Sequence, residues 1–489
     1  MQAVIQTLAY RGIDTVPVAV QVHLSNGLPA MAIVGLADKA VAESKERIRA
    51  ALSSIGLALP AKRIAVNLAP ADVTKEGAHF DLPIACGLLA AMGVIPSDMV
   101  QEAVILGELS LDGKIAPVSG ILPAAIHAAA LGHPLICPYD NGQEARWAGE
   151  IPIMAAPDLL SLIQHVTGKA WLASPELPTK LPLPPYPDMA DVQGQETAKR
   201  ALEITAAGQH HLLMIGPPGA GKSMLASRLP GLLPPLTSHE ALEVTMIQSL
   251  AGLTLQTGDS GIRTARPYRD PHHSASMPAL VGGGSKARPG EISLAHHGVL
   301  FLDELPEFQR VALDSLRQPL ETGEVVIARA NHHIRYPARF QLVAAMNPCR
   351  CGYLSDPGRA CSRAPDCAKS YIARLSGPLL DRFDIMIDVA ELASHHLITP
   401  QKAEPTSVMR DRILAARHFA TKRASAEDSL SRAAVTYLKT HLETLRISAR
   451  AYHKILGVAR TIADLDASPE VEQPHLSEAI SYRKMRLLS

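Results

Sequence analysis

The chain has 489 residues, 47% hydrophobic and 19% charged, which indicates a globular protein with more than one hydrophobic core. Basic and acidic residues both number 47, which excludes a globally basic nucleic-acid coat protein but leaves room for a local basic channel. No signal peptide or plain membrane span is visible, so the sequence predicts a cytoplasmic protein without membrane contact.

A proline-rich run divides the chain. Four prolines lie between Pro175 and Pro187, and such a run favours an extended linker over a helix. The resulting prediction is an N-terminal domain over 1–170, a linker over 171–188, a nucleotide-binding core over 189–392 and a helical lid over 393–489.

The N-terminal part has mixed α/β character. Strand-like segments occur at Val16–Leu24 and Arg63–Asn67, and helical spacing at Lys39–Ser54 and Leu82–Met92. From about residue 393 the apolar repeats are helical to the end, so we expect an α/β multidomain protein with a C-terminal α-helical domain.

A phosphate-binding P-loop follows the short apolar run His211–Ile215. The pattern G-x-x-x-x-G-K-[ST] is matched by Gly216-Pro217-Pro218-Gly219-Ala220-Gly221-Lys222-Ser223, which opens a predicted helix, Lys222–Leu229. Glycines let backbone N–H groups turn towards the phosphates, Lys222 would pair with the β- and γ-phosphates, and Ser223 would ligate Mg²⁺. The sequence therefore predicts ATP and Mg²⁺ as cofactors.

Two further apolar strands end in polar residues. Val299–Leu302 is followed by Asp303 and Glu304, whose side chains we expect to point in opposite directions, the first to Mg²⁺ and the second to the attacking water. Gln341–Ala345 leads to Asn347, an amide that can hold the lytic water or the γ-phosphate. Together with the P-loop these residues indicate ATP hydrolysis.

Several segments together resemble the magnesium-chelatase-like YifB/ComM family of AAA+ ATPases. They are Asp191-Val192, Gly194-Gln195-Glu196, Ala198-Lys199-Arg200-Ala201-Leu202-Glu203, Pro271-His272-His273, Gly282-Gly283-Gly284, Arg288-Pro289-Gly290-Glu291, Leu300-Phe301-Leu302-Asp303-Glu304 and Asn347-Pro348-Cys349. The resemblance covers essentially the whole chain. It implies a Lon-protease-like (ribosomal S5 domain 2-like) N-terminal domain, an AAA+ module with a helix-2 insert, a helical lid and a homohexameric ring.

For function, the resemblance implies a helicase that drives branch migration when imported single-stranded DNA is integrated by homologous recombination in natural transformation. Its partners would be single-stranded, double-stranded or branched DNA, and recombination proteins. The segment Ser376–Asp384 resembles the part of the family that bears the arginine finger, which assigns Arg382 to the γ-phosphate of a neighbouring subunit. Ser448-Ala449-Arg450 resembles the sensor-2 element of the lid, which assigns Arg450 to the same nucleotide as Arg382, with Arg446 as a competitor.

The N-terminal domain resembles the Lon-type Ser/Lys protease domain but lacks its dyad. Residues 75–79 and 107–114 carry the resemblance. His79 stands where the family has its serine nucleophile, and Ala124 falls near the lysine base. Because a serine nucleophile needs a base within hydrogen-bond reach, we expect no proteolysis and a role in assembly or DNA contact.

Four cysteines lie close together in the chain, at Cys349, Cys351, Cys361 and Cys367. Four thiolates can hold Zn²⁺, which would fix this loop between Asn347 and Arg382. Free thiols in a reducing compartment and a redox pair are the alternatives.

Basic residues that could contact DNA phosphates fall in two places. One is the segment between Gly261 and Gly290, and the other is a predicted hairpin around 330–333; the residues are Arg263, Arg266, Arg269, His272, His273, Lys286, Arg288, Arg329 and Arg335. No helix-turn-helix or zinc-finger motif is visible, so we expect DNA binding without sequence specificity.

The alternatives to a DNA motor are a chelatase motor subunit and a protein-remodelling or protease-regulating ring. The first predicts no Lon-like N-terminal domain, and the second, as a protease, needs the nucleophile that is absent here.

Overall fold

The structure, a computed structural model, describes residues 2–176, 186–254, 261–284, 287–328, 333–354, 358–359, 361–391, 403–423, 430–445 and 448–483, without the side chains of 333 and 441–445. Half of the predicted linker, together with Lys286, Arg329 and Arg446, lies outside these residues.

The N-terminal part is built on a seven-stranded mixed sheet. Its strands run in the order β3-β4-β2-β1-β5-β8-β9. A small hairpin, β6–β7, stands beside it. The strands are β1 (Gln2–Arg11), β2 (Asp14–Ser25), β3 (Ala30–Val34), β4 (Arg63–Ala69), β5 (Val104–Ile105), β6 (Glu108–Leu109), β7 (Ile115–Ala116), β8 (Leu135–Pro138) and β9 (Ile153–Ala156).

Helices cover this sheet on both faces. They are α1 (Lys39–Ser54), α2 (Asp81–Ala91), α3 (Asp98–Gln101), α4 (Ile121–Leu131), α5 (Gly142–Ala145) and α6 (Leu159–Val166). The Asp38 side chain caps α1 by accepting from Val41 N at 2.8 Å, and α1 has the bounds that the sequence predicts. The apolar side of α1 packs with α2 on one core, while α4 packs on the other.

A second, all-parallel sheet organises the nucleotide-binding part. Its order is β11-β14-β17-β10-β18, so the strand before the P-loop lies between the strand that ends at Asn347 and β18. Two hairpins, β12–β13 and β15–β16, stand outside it. The strands are β10 (Leu212–Ile215), β11 (Tyr268–Arg269), β12 (Gly282–Gly283), β13 (Arg288–Pro289), β14 (Val299–Leu302), β15 (Glu324–Ala328), β16 (His333–Pro337), β17 (Gln341–Met346) and β18 (Ile385–Asp388).

Two of the described helices in the nucleotide-binding part, α7 (Glu196–Gly208) and α10 (Ser238–Ala251), are long. The short ones are α8 (Lys222–Ala226), α9 (Leu229–Leu232), α11 (Met277–Val281), α12 (Glu291–Leu294), α13 (Arg310–Ser315), α14 (Arg317–Thr322), α15 (Asp366–Ile372) and α16 (Gly377–Leu380). The hairpin β12–β13 lies between α11 and α12.

The C-terminal part is helical, as expected. Its helices are α17 (Thr406–Arg423), α18 (Arg432–Leu445), α19 (Ala449–Leu465) and α20 (Gln473–Ser481). Buried apolar residues of α17 and α19, such as Ile413 and Ile462, share one core with α7 and one face of the parallel sheet. The C-terminal helices therefore pack directly on the nucleotide-binding sheet.

The N-terminal sheet also contacts the nucleotide-binding part. Gly120 N donates to Ser249 O at 3.1 Å, and Thr254 donates to the buried carboxylate of Glu144 at 3.3 Å. Burial raises the pKa of Glu144. A cavity of about 550 Å³ remains between the two parts.

Candidate nucleotide site

The P-loop lies at the carboxyl edge of the parallel sheet. All four residues of β10 are buried between β17 and β18, so the loop that follows is held at the edge where ligands bind such sheets. Gly219 and Gly221 have φ of 80° and 88°, conformations that glycine adopts without strain. The predicted helix Lys222–Leu229 is wrong in its length, because α8 ends at Ala226 and a separate helix, with Pro230 in its first turn, begins at Leu229.

Lys222 points back into the loop. Its Nζ donates to Gly216 O at 2.7 Å, to Pro217 O at 2.8 Å and to Asn347 Oδ1 at 3.2 Å. Burial lowers the pKa of Lys222, and the carboxylates of Asp303 and Glu304 oppose that shift. A buried ammonium held by neutral oxygens can exchange them for phosphate oxygens, which suits the predicted pairing with the β- and γ-phosphates.

Ser223 and Asp303 offer the ligands that Mg²⁺ prefers. Ser223 Oγ donates to Asp303 Oδ2 at 2.6 Å, across the start of α8 and the end of β14. Hydroxyl and carboxylate oxygens, with phosphate oxygens and water, form the usual octahedral set around Mg²⁺. The donor set therefore fits the ion beside the P-loop.

Glu304 lines the cavity beside the P-loop, which measures about 310 Å³. The direction of its side chain has a different cause from the one that the sequence predicts. The strand ends at Leu302, and Glu304 has a left-handed backbone with φ of 52°. Strand alternation is therefore the wrong explanation of its direction, because a turn sets it. One carboxylate oxygen, Oε2, lies 3.1 Å from His273 Nδ1.

The opposite edge of the sheet carries Arg382 and Arg450. Asp384, just before β18, accepts from the backbone N of His211 at 2.8 Å, which places this turn at the amino end of β10. Since β10 has four residues, the turn is about 13 Å from the P-loop. Both arginines pair with Glu321, Arg450 at 3.1 Å.

Arg450 lies beside Arg382 and not beside the P-loop of its own chain. It lines a cavity with His210 and Lys454 at the amino edge, separate from the P-loop cavity. Sequence reasoning had no signal for Glu321, the carboxylate that brings the two arginines together.

Three of the four cysteines converge, because the Sγ atoms of Cys349, Cys351 and Cys367 lie within 4.8 Å of one another. Cys361 lines the same cavity as Cys351 and Cys367. Gly352 packs on the P-loop so closely that a Cβ there would lie 2.6 Å from Pro218 Cδ. Three convergent thiols supply part of the tetrahedral set that Zn²⁺ prefers, and Cys361 is the candidate for the fourth ligand.

The basic DNA candidates have different environments. Arg266 is buried and donates to Pro234 O, His297 O and Glu240, so it supports the fold, and its prediction as a DNA contact is wrong. Arg269 makes two hydrogen bonds to Glu291, at 2.5 and 2.7 Å. Arg288 and Arg335 are exposed on the two hairpins, as phosphate contacts require.

His79 and Ala124, which stand where the resemblance to Lon-type proteases would place the Ser/Lys dyad, are both buried. His79 Nε2 lies 3.0 Å from Leu8 O, and burial lowers the pKa of His79 to about 4. Ala124 lies inside α4. A neutral, buried imidazole against a backbone carbonyl offers no nucleophile.

Gln195 is a site residue whose role the sequence left open, although it stands in a quoted segment. Its Nε2 donates to Ala390 O at 2.7 Å and to Ala220 O of the P-loop at 3.3 Å. Gly216 lies against Val389, where a Cβ would be 2.2 Å from the carbonyl oxygen. The P-loop is thus joined to the end of β18.

A P-loop, an acidic pair and an asparagine at the carboxyl edge of a parallel sheet define an ATPase of the AAA+ class. Family models agree with this assignment. "Magnesium chelatase, subunit ChlI" matches residues 188–397, "Subunit ChlI of Mg-chelatase" matches 20–141, and "Magnesium chelatase, subunit ChlI C-terminal" matches 403–483.

Full-length relatives narrow the assignment. The chain is 45% identical to competence protein ComM of Haemophilus influenzae and 42% identical to the uncharacterized protein YifB of Escherichia coli, each over 99% of this chain and 98% of the relative. It is 32% identical to the magnesium-chelatase 38 kDa subunit of Rhodobacter capsulatus, over 34% of this chain and 51% of that one. The chain belongs to the magnesium-chelatase-like YifB/ComM family.

Within the described ranges, no helix combines the length and the apolar character that crossing a membrane requires.

Proposed function

We propose that this chain is the subunit of an ATP-driven hexameric DNA motor that moves branch points during homologous recombination. The supporting observation is the division of the site between two edges of one sheet: the P-loop, Asp303, Glu304 and Asn347 lie at one edge, and Arg382 and Arg450 at the other. Hydrolysis that needs both sets requires two chains, side by side.

The state of Arg382 supports action on a neighbour. Its side chain is 9% exposed and pairs with Glu321, yet among the described residues its Nε and Nη1 have no hydrogen-bond partner. Buried guanidinium N–H groups without acceptors are costly, so release of the side chain from Glu321 towards the phosphate oxygens of an adjacent subunit's ATP would remove that cost. Arg450, on the same Glu321, would act at the same interface.

DNA is proposed as the track. Full-length similarity to a competence protein supports a role in the uptake and integration of DNA, and recombination proteins are the expected partners. The hairpins β12–β13 and β15–β16, with exposed Arg288 and Arg335, are the proposed phosphate contacts. Such contacts carry no sequence information, so single-stranded, double-stranded and branched DNA should all bind.

The test is branch migration on a synthetic four-way junction. The unaltered chain should resolve the junction into two duplexes in the presence of ATP and Mg²⁺, and Lys222→Ala should not. Replacing ATP with a non-hydrolysable analogue should stop the reaction as well. A chain that hydrolyses ATP but leaves junctions of every arm sequence intact would contradict the proposal.

A chelatase-like or other remodelling ATPase is the second candidate, favoured by the match to the magnesium-chelatase 38 kDa subunit. That match covers 34% of this chain and leaves out most of it. ATPase activity stimulated by a partner protein and indifferent to DNA would favour this candidate.

The N-terminal domain is proposed to be Lon-like and non-proteolytic, with a role in assembly. Its support is the placement of His79 and Ala124 and the direct contact of α4 with α10.

Zinc is proposed at the cysteine cluster formed by Cys349, Cys351, Cys361 and Cys367. Elemental analysis of protein purified without a histidine tag should find about one Zn²⁺ per chain. Cys351→Ser and Cys361→Ser should lose the metal and lower the melting temperature. Cys86→Ala, which removes a buried thiol of the N-terminal part, should keep the metal. Metal-free protein with four titratable thiols and an unchanged melting temperature would refute the site.

A further inference from the structure

The turn before β18 that carries Arg382 is held by the helical part of its own chain. Lys454, on α19, donates to the backbone oxygen of Arg382 and to the carboxylate of Asp384, each at 2.6 Å. Arg483, just after α20, donates to Phe383 O at 3.0 Å. The side chains of Lys454 and Asp384 are 17% and 15% exposed, so solvent screens their contact little. The backbone around Arg382 is therefore fixed from the C-terminal helices.

Asp384 joins Lys454 to the parallel sheet. Its Oδ1 accepts from Lys454, while its Oδ2 accepts from the backbone N of His211, which precedes β10, at 2.8 Å. Lys454 thus lies between a carboxylate that is fixed on the sheet and the carbonyl oxygen of the residue that bears the guanidinium. Removal of the ammonium would take this donor from both acceptors and loosen the turn.

The side chain of Arg382 is less constrained than its backbone. Within the part of the chain that the structure describes, its Nε and Nη1 have no hydrogen-bond partner, and Glu321, with which it pairs, is 50% exposed. A guanidinium stabilises a transferring phosphoryl group only when it is correctly placed, and an error of about 1 Å can cost about 10²-fold in rate. The placement of this side chain depends on the backbone that Lys454 holds.

We propose that Lys454 is a positioning residue for Arg382: by fixing the turn before β18, the helical part of one chain sets the arginine finger for the ATP of its neighbour. This inference rests on the proposed function for the action of Arg382 across the subunit interface. The hydrogen bonds of Lys454 do not depend on that function. Lys454 lines the cavity at the amino edge and not the P-loop cavity, so its loss should leave the ATP contacts of its own chain in place.

The first experiment compares Lys454→Met with Lys439→Met in the full-length protein. Methionine is flexible and unbranched like lysine but has no donor, and Lys439 is an exposed lysine on α18. Lys454→Met should lower turnover at saturating ATP about 10- to 100-fold, because Arg382 loses its fixed backbone, with the Kd of a fluorescent ATP analogue unchanged. Lys439→Met should resemble the unaltered chain. Unchanged turnover in Lys454→Met would overturn the proposal, and so would weaker nucleotide binding that accounts for the fall.

The second experiment determines which chain of a mixed ring needs Lys454. In the reference mixture, Lys222→Ala supplies the finger and Arg382→Ala supplies the P-loop. Adding Lys454→Met to the Lys222→Ala chain should lower the recovered turnover about 10- to 100-fold below that of the reference. Adding Lys454→Met to the Arg382→Ala chain should leave the recovery at the level of the reference, because that chain lends no finger.

The two altered mixtures control for each other. A defect of folding or assembly would lower recovery in both of them, so equal recoveries in the two would overturn the proposal. A reference mixture that recovers no turnover would contradict the proposed function instead. Lys454→Met on its own then decides whether Lys454 positions Arg382, since a fall in turnover at unchanged nucleotide Kd would still support that role and unchanged turnover would overturn it.

Discussion

Glu304→Gln should keep ATP bound and lower its hydrolysis by about 10²–10⁴-fold, the range for loss of a general base. Glu304 lines the cavity without contacting Lys222, so the amide removes the proton acceptor and leaves the phosphate-binding groups in place. Equilibrium binding of a fluorescent nucleotide and steady-state phosphate release separate the two effects. Turnover at the level of the unaltered chain would contradict the assignment of Glu304.

Lys222→Ala should impair the binding of ATP itself, in contrast to Glu304→Gln. The ammonium contributes charge-assisted hydrogen bonds to the bound phosphates, so its loss should weaken ATP binding by about 10- to 100-fold.

Glu307→Gln is the matched control for Glu304→Gln, because Glu307 lies three residues beyond Glu304 and pairs with Arg374 at 2.9 Å, outside the P-loop cavity. It should retain turnover.

Arg382→Ala should bind ATP normally and lose about 10³-fold or more in turnover, as expected when an arginine finger is removed. The physical reason is the distance of about 13 Å between the two edges of the sheet, which excludes Arg382 from the P-loop of its own chain in this structure. Turnover of the unaltered chain should also rise steeply with protein concentration, because assembly creates the complete site.

Mixing Arg382→Ala with Lys222→Ala tests the same point directly. Some interfaces in mixed rings combine an intact P-loop from the first protein with an intact arginine from the second, and these should recover hydrolysis. The double variant Lys222→Ala/Arg382→Ala mixed with Lys222→Ala has no intact P-loop and should recover nothing. Absence of recovery in rings shown by light scattering to be mixed would count against a role in trans.

Much of the nucleotide site could be predicted because its signals are local. The P-loop, Asp303 and Asn347 each follow a short apolar run, and a parallel sheet brings the ends of such strands together. The bounds of the helix Lys39–Ser54 could be predicted for a similar reason, since its apolar spacing is a local pattern.

The remaining features depend on contacts between distant segments. The pairing of Arg382 and Arg450 on Glu321 spans 129 residues in the case of Arg450, and no local pattern encodes it. Arg266 has the composition of a DNA contact, but tertiary packing buries it against three acceptors. The turn at Glu304 shows the same limit, because strand alternation ends where the strand ends, and that boundary is set by the folded sheet.

The contact of Gly216 with Val389 has a mechanical meaning. The P-loop has no slack there, since the glycine lies directly against the carbonyl of Val389 and Gln195 joins Ala220 to Ala390. Ala390 stands just before the connection to the C-terminal helices. A change in the shape of the P-loop when phosphates bind or leave would therefore act directly on Val389 and Ala390, at the end of β18, from which the chain continues to the C-terminal helices.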